Sequence, residues 1–407
     1  MSGEEKLKLA TPRRVLALAS GGNGGDFPPV AGIALGLAAR GHAVRFLGDR
    51  AIAAALAGTG AETVVIDPGH EWLACLRRWR EADGRDGRAA PPPFPLPEWS
   101  ADVTPLALRA AAEFAPGLIL STLFCSELAS RTSAATGIPW CLVNPSFYFG
   151  PGAVRSAASD YAGPVIPLRT NYWLPLAGTA SLVLHATDPE FDFAPAVVPA
   201  GHRYVGPQLW EPPAAPPPYL DAPGPPWVLA TLSQAPQPGE HRLAAAALEA
   251  LAARPLRVVM TRAGERPGAG RGELPESIHL TSHVPHLAVL ERSRLFVSHA
   301  GHGAVMKALC SGVPMVLVPL GRDQPGVAAR AERLGVARVL SPEGLDARRL
   351  GDAIDEVLED GRYLDEARRS AERLRRTDWT AVACRAIEDH AAESCGIVPA
   401  AAAGRDG

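Results

Sequence analysis

The sequence predicts an α/β protein of two parallel-sheet domains, and three observations carry that prediction. Short apolar runs alternate with segments of helical period along most of the chain. A proline-dense stretch, Gly206 to Trp227, interrupts the alternation near the middle. The length of 407 residues is more than one ordinary core organises and enough for two.

Taken in order, residues 14–20 (RVLALAS) form an apolar run that ends in the turn-forming GGNGGD, and VAGIALGLAARGH follows with helical spacing and a glycine stop at Gly41. AVRFLG is strand-like again and the alanine-rich 51–58 is helical, so the chain opens as a βαβα series with parallel strands. Such sheets bind ligands at the carboxyl ends of their strands. Residues 81–99 break every periodicity with proline and glycine, which predicts a long loop. GLILST (117–122), a helix near 125–136 and IPWCLVN (138–144) resume the series.

Prolines across 206–226 withhold the backbone donors of a sheet or helix and predict a linker. Beyond it come strand 227–233, helix 239–253, strand 256–260, a short IHLTSHVP segment, strand RLFVS, a helix and strand 313–319. Residues 345–359 and 363–392 have helical spacing. The expected division is therefore a first domain over 1–205, the linker, a second domain over 227–375, a closing helix over 376–392 and a flexible tail over 393–407.

A formal net charge of −3 argues against nucleic acid or an acidic membrane surface as partner, and 47% hydrophobic with 20% charged residues is the balance of a soluble globular protein. Six cysteines without a CxxC pair read as reduced core thiols. The first residues are polar and charged, and no run reaches the roughly 20 apolar residues of a spanning helix. The expectation is a cytoplasmic protein, monomer or homodimer, with no membrane insertion.

The segment from Ser298 to Gln324 carries the chemistry. A strand runs into His299-Ala300-Gly301-His302-Gly303-Ala304 and directly into a helix. Glycines let backbone approach a ligand closely, and the unpaired N–H groups of a helix start favour an anion such as a diphosphate. His299 could add a hydrogen bond to phosphate or could satisfy local backbone. Asp323 accepts hydrogen bonds and Gln324 both donates and accepts, which suits sugar hydroxyls, although either could merely cap the helix that begins near Pro325.

HAGHG, then GVPMVLVPLGRDQ and AARAERLGVARVL, resemble the donor-binding signature of family 1 glycosyltransferases of the GT-B fold, and the likeness is to bacterial macrolide and antibiotic glycosyltransferases. HATDPEFDF, RYVGPQLWEPP, LATLSQAPQ and SHVPHLAVL follow the same order. The resemblance implies two Rossmann-like domains facing across a cleft, with the last helix returning to the first domain. It implies a nucleotide-diphosphate sugar, UDP- or dTDP-linked, as co-substrate, with no further cofactor and no metal. It also implies that His299 and the backbone of Gly301, His302, Gly303 and Ala304 meet the diphosphate, that Asp323 and Gln324 hold the sugar, and that Val284 and His283 lie by the base. Ser233 matches a hydroxyl near the phosphates, and equally a strand-end cap. Ser146 resembles a residue that reaches the sugar.

Two departures from the family stand out. Lys307 occupies the helix position usually held by an acidic ribose ligand, where it could donate to a ribose oxygen or pair with phosphate. Asp26 stands where many relatives carry a catalytic His, and the resemblance gives an Asp here precedent, since glycopeptide-antibiotic glycosyltransferases and sterol glucosyltransferases likewise show GD at this point. It is either the general base that deprotonates the acceptor hydroxyl or a cap of the helix starting near Pro28. Relatives with the His keep an orienting Asp near 121–124, where this chain has Ser121-Thr122-Leu123-Phe124. Trp72, Trp79, Phe94 and Trp99, in and beside the irregular loop, are expected to bind a flat or apolar acceptor together with Phe124, Ser146 and Phe147. The alternatives are a non-catalytic nucleotide-binding partner protein or a sugar-nucleotide epimerase. A dinucleotide fingerprint fails because Phe27 stands where it needs glycine, His299 and His302 lack a third metal ligand, and no GxSxG elbow is present.

Overall fold

The computed structural model describes residues 13–20, 25–71, 75, 96–150, 173–233, 237–261 and 275–396. Its first lobe runs β1 (Arg14–Leu18), α1 (Phe27–Ala39), β2 (Ala43–Gly48), α2 (Arg50–Ala55), β3 (Glu62–Val65), α3 (Leu96–Phe114), β4 (Leu118–Ser121), α4 (Ser126–Thr136), β5 (Trp140–Asn144), α5 (Leu174–Ala177), β6 (Leu182–His185) and β7 (His202–Tyr204). The second runs β8 (Trp227–Thr231), α6 (Glu240–Ala252), β9 (Arg257–Thr261), β10 (Ile278–Thr281), α7 (His286–Leu290), β11 (Ser293–Ser298), α8 (His302–Ser311), β12 (Met315–Leu317), α9 (Gln324–Arg333), β13 (Ala337–Val339), α10 (Ala347–Glu359), α11 (Gly361–Arg375) and α12 (Trp379–Gly396).

Every strand pairing is parallel, in the orders β3-β2-β1-β4-β5-β6-β7 and β10-β9-β8-β11-β12-β13. Alternate residues of each strand face opposite layers of helices, which is why these strands read as unbroken apolar runs. Val15 and Ala17 of β1 pack with α1, while Leu16 and Leu18 pack with α3. In β8, Val228 and Ala230 face α6 and α10, and Trp227 and Leu229 face α8 and α9.

Each sheet has one place where the chain reverses its direction of winding. In the first it lies between β1 and β4, and in the second between β8 and β11. Open α/β sheets bind ligands at such reversal points, at the carboxyl edge of their strands.

Several elements differ from the sequence reading. Residues 96–99 of the expected loop form the first turn of α3. The helical segment 363–392 is broken at 376–378, which separates α11 from α12. Short strands β3, β6, β7 and β13, of three or four residues each, carry too few residues to show a period. The proline-rich connection is well packed. Gly206 adopts φ +67° against the Trp379 ring, where a Cβ would lie 2.0 Å from a ring carbon, and Trp227 Nε1 donates to the Leu220 carbonyl. It contains one short 3₁₀ turn, Pro218–Asp221.

Helix α12 crosses back onto α1. Cys384 lies on the Ile33 carbonyl at 3.7 Å, Gly36 makes room for Thr380 and Cys384, and Arg40 pairs with Glu388 at 2.6 Å. The two lobes also hold each other directly. Arg330 of α9 reaches buried Asp192 at 2.9 Å and covers the Phe147 ring at 4.0 Å, and Arg373 of α11 grips Asp188 through both carboxylate oxygens at 2.8 and 2.5 Å.

Candidate active site

At the first reversal, Asp26 sits at the start of α1 and is 3% exposed. Its carboxylate makes no cap to that helix. It turns to the loop after β4, where Oδ1 accepts from the Leu123 N–H at 3.1 Å and Oδ2 from the Phe124 N–H at 3.3 Å. Burial raises its pKa to about 6, against the opposing pull of hydrogen bonds from the Thr122 side chain and these two N–H groups. The residues that replace the orienting Asp of relatives thus supply donors that orient Asp26 itself.

At the second reversal, β8 and β11 end side by side with Thr231 opposite Ser298. His299 follows β11 and is buried, with Nδ1 3.4 Å from the Thr231 carbonyl and 3.5 Å from Ser298 Oγ. Burial lowers its pKa to about 4, so the ring is neutral near pH 7. A carbonyl only accepts, so this contact favours the proton on Nδ1. Donation from Nε2 to a phosphate then requires the protonated ring, a state that a bound anion would favour. Nε2 faces the glycine loop, and a Cβ on Gly301 would lie 2.9 Å from it. Glycine at 301 is needed for that close approach, since its φ of −64° is open to any residue.

Two non-glycine residues of this site hold left-handed backbone, Ala300 at φ 66° and Arg322 at φ 58°. Each conformation costs about 1–2 kcal/mol and persists where surroundings impose it. Gln324 imposes it on the second loop. Its Oε1 accepts from the N–H groups of Leu320 and Gly321 at 2.9 and 3.1 Å, and its Nε2 bonds Gln237 at 3.0 Å. Gln324 is 2% exposed and its side chain holds this loop together. Asp323 Oδ2 accepts from Ser146 Oγ at 2.6 Å, which brings together two expected sugar contacts from opposite lobes. Ser233 lies at the end of β8 and its Oγ receives Arg322 Nη1 at 3.3 Å.

The two reversal points meet. The nearest atom to a Cβ built on Gly303 is the Gly25 Cα, at 3.9 Å, so the loop that presents Asp26 lies against the first turn of α8.

Other expectations need correction. The His302 ring bonds Thr187 Oγ1 of the first lobe through Nε2 at 2.9 Å. Lys307 pairs with Glu211 of the interlobe connection at 2.7 Å, and Glu211 also accepts from the N–H groups of His286 and Leu287. Trp99 is a core ring, 2% exposed, whose Nε1 bonds the His70 carbonyl, so it offers no acceptor surface. Phe147 packs between Gly326 and Arg330 of the second lobe and is likewise buried. Phe124 is half-buried, edge-on to Trp173 at 5.3 Å. Val284 is buried in the second core, while His283 is exposed beside it. Trp72, Trp79 and Phe94 lie outside the described residues.

The sequence reading passed over Gly25, Thr187, Glu211 and Arg322. Arg322 and Gly25 adjoin residues that were singled out. Thr187 and Glu211 act on partners 115 and 96 positions away and carry no local signal.

Residues 245–388 match the family described as Erythromycin biosynthesis protein CIII-like, C-terminal domain. Over 106 residues the chain is 36% identical to the uncharacterized UDP-glucosyltransferase YdhE of Bacillus subtilis, which covers 26% of this chain and 27% of that relative. The calicheamicin glycosyltransferase CalG4 superposes with a TM-score of 0.69 at 21% identity, over 94% of this chain and 99% of that one. Glycosyltransferase VinC, solved in complex with dTDP, gives 0.67 at 20% identity over 94% and 100%. The chain therefore has the GT-B fold of two Rossmann-like lobes, and the match to the CIII-like C-terminal domain falls within its second lobe.

Proposed function

We propose that the protein is an inverting, metal-independent glycosyltransferase that moves a sugar from a UDP- or dTDP-sugar to a hydroxyl of a small, largely apolar natural product. The observation that carries this is the meeting of the two reversal points. A buried carboxylate with a raised pKa stands on one side, and on the other a glycine-rich helix start where a Cβ built on Gly303 would meet the Gly25 Cα at 3.9 Å. A base near pKa 6 is better matched to proton removal at neutral pH than a free aspartate near 3.9.

In this reading the acceptor oxygen gives its proton to Asp26 and its electron pair to the anomeric carbon. The bond from that carbon to the diphosphate oxygen breaks, and the pair leaves on that oxygen. One displacement inverts the centre. The N–H groups at the start of α8 and the His299 ring receive the departing diphosphate, while Asp323, oriented by Ser146, holds the sugar. The names of YdhE, a UDP-glucosyltransferase, and of VinC with dTDP support the two nucleotides considered.

Incubation with UDP-glucose or dTDP-glucose and a panel of phenols and macrolides tests the proposal. Nucleotide release that requires an acceptor supports transfer. Consumption of the sugar nucleotide without any acceptor, with an isomeric sugar nucleotide as product, points to an epimerase, and tight nucleotide binding with no product across the panel points to an auxiliary protein.

A further inference from the structure

Arg322 lies in the loop between β12 and α9, one residue before Asp323. Its left-handed backbone, φ 58°, is unusual for a residue with a Cβ. The loop is pinned from below by Gln324, through Leu320, Gly321 and Gln237. The strained backbone sends the exposed guanidinium across to the end of β8, where Nη1 donates to Ser233 Oγ at 3.3 Å. Ser233 and His299 leave adjacent strands, and His299 is tied to the β8 carbonyl of Thr231. The Arg322 charge also acts on His299, adding to the effect of burial in disfavouring the protonated ring.

The guanidinium thus lies by Ser233 and within electrostatic reach of His299, which immediately precedes the glycine loop at the start of α8. On the reading that a nucleoside diphosphate occupies this loop, we infer that Arg322 contacts that diphosphate and receives the charge that leaves with the nucleotide. The group suits the task. A planar guanidinium presents five N–H donors, so one can stay on Ser233 while two others bridge phosphate oxygens. Lys307, the cation one turn along α8, is already held by Glu211 and makes a poorer candidate. When the anomeric carbon–oxygen bond breaks, its electron pair stays on the diphosphate oxygen, and Arg322 N–H groups stabilise that oxygen with no proton transferred.

The test separates charge from backbone. Arg322→Gly suits φ 58° and removes only the side chain, while Arg322→Lys keeps a charge without the fork. UDP, dTDP, UMP and dTMP are titrated calorimetrically into the full chain and each variant. In Arg322→Gly, affinity for the preferred diphosphate is expected to fall about 30-fold and affinity for its monophosphate less than about threefold, with an unchanged or higher Tm. Arg322→Lys should fall between, and kcat should drop in both. An unchanged diphosphate-to-monophosphate ratio in Arg322→Gly overturns the inference, as does a parallel loss of both affinities with a lowered Tm. If the unaltered chain binds neither UDP nor dTDP, the underlying donor-site reading fails instead.

Discussion

The two reversal points are the same piece of topology used for opposite charges. At the first, the loops after β1 and β4 enclose a carboxylate and give it two backbone donors. At the second, the loops after β8 and β11 enclose an imidazole and a glycine turn at the head of a helix, and that imidazole is held neutral by burial. Burial moves both groups toward their uncharged forms, Asp26 up to about 6 and His299 down to about 4. For Asp26 that shift suits the base role proposed above. For His299 it gives a ring that is uncharged near pH 7. On the proposed reading, one fold yields a proton acceptor at the first reversal and an anion receptor at the second.

The largest expected effect breaks the first half of this comparison. Asp26→Asn should lower kcat by about 10²–10⁴-fold with nucleotide affinity unchanged. Wild-type kcat/KM should rise with pH through about 6, as the carboxylate ionises. Stability gives an independent check with a definite sign. The folded pKa exceeds the ordinary value of 3.8, so the stabilising effect of this group is complete below pH about 4 and is lost as pH rises through about 6. Denaturant titrations should show wild type losing about 3 kcal/mol relative to Asp26→Asn across that window. Full turnover in Asp26→Asn would end the assignment.

The second half rests on how tightly His299 and the glycine loop fit. Gly301→Ala places a methyl 2.9 Å from His299 Nε2 and must move the ring, whereas Gly303→Ala meets nothing closer than 3.9 Å. Diphosphate affinity should therefore fall about tenfold in the first and less than about threefold in the second, as read by calorimetry. Equal effects would mean that backbone freedom, and not the approach of His299, sets the site.

Ser146→Ala sharpens the contact between the halves. Removing the donor to Asp323 should raise KM for the sugar nucleotide about three- to tenfold and leave the affinity for free UDP or dTDP unaltered, because only the sugar end depends on Asp323. A matching loss of nucleotide affinity would show that the bond serves lobe closure in general.

Much of this was legible in the sequence, for reasons that the structure makes plain. Parallel strands buried on both faces, such as β1, β4, β8 and β11, write themselves as apolar runs, and the glycines around 299–304 mark the helix start directly. Edge strands of three or four residues leave no such trace. Side chains at the site were harder to place because their partners are remote. Asp26 is 97 positions from Leu123, and Ser146 is 177 from Asp323. Trp99 misled because a tryptophan beside a proline-rich stretch reads the same on the page whether its ring lines a cleft or, as here, fills the core behind α3.

The smallest expected effect concerns protons taken up on binding. An imidazole with pKa about 4 is unprotonated at pH 6–7, and a diphosphate beside it raises that pKa by opposite charge. A group whose pKa rises on binding takes up protons, so the affinity it contributes grows as pH falls. Calorimetry of UDP or dTDP binding in buffers of different ionisation enthalpy should show a net uptake, at most one proton, that is larger at pH 6 than at pH 8. His299→Gln should remove the part that does not belong to the nucleotide's own titration. If uptake is the same in both proteins, His299 stays neutral when the anion binds, and the helix start and Arg322 carry the diphosphate without it.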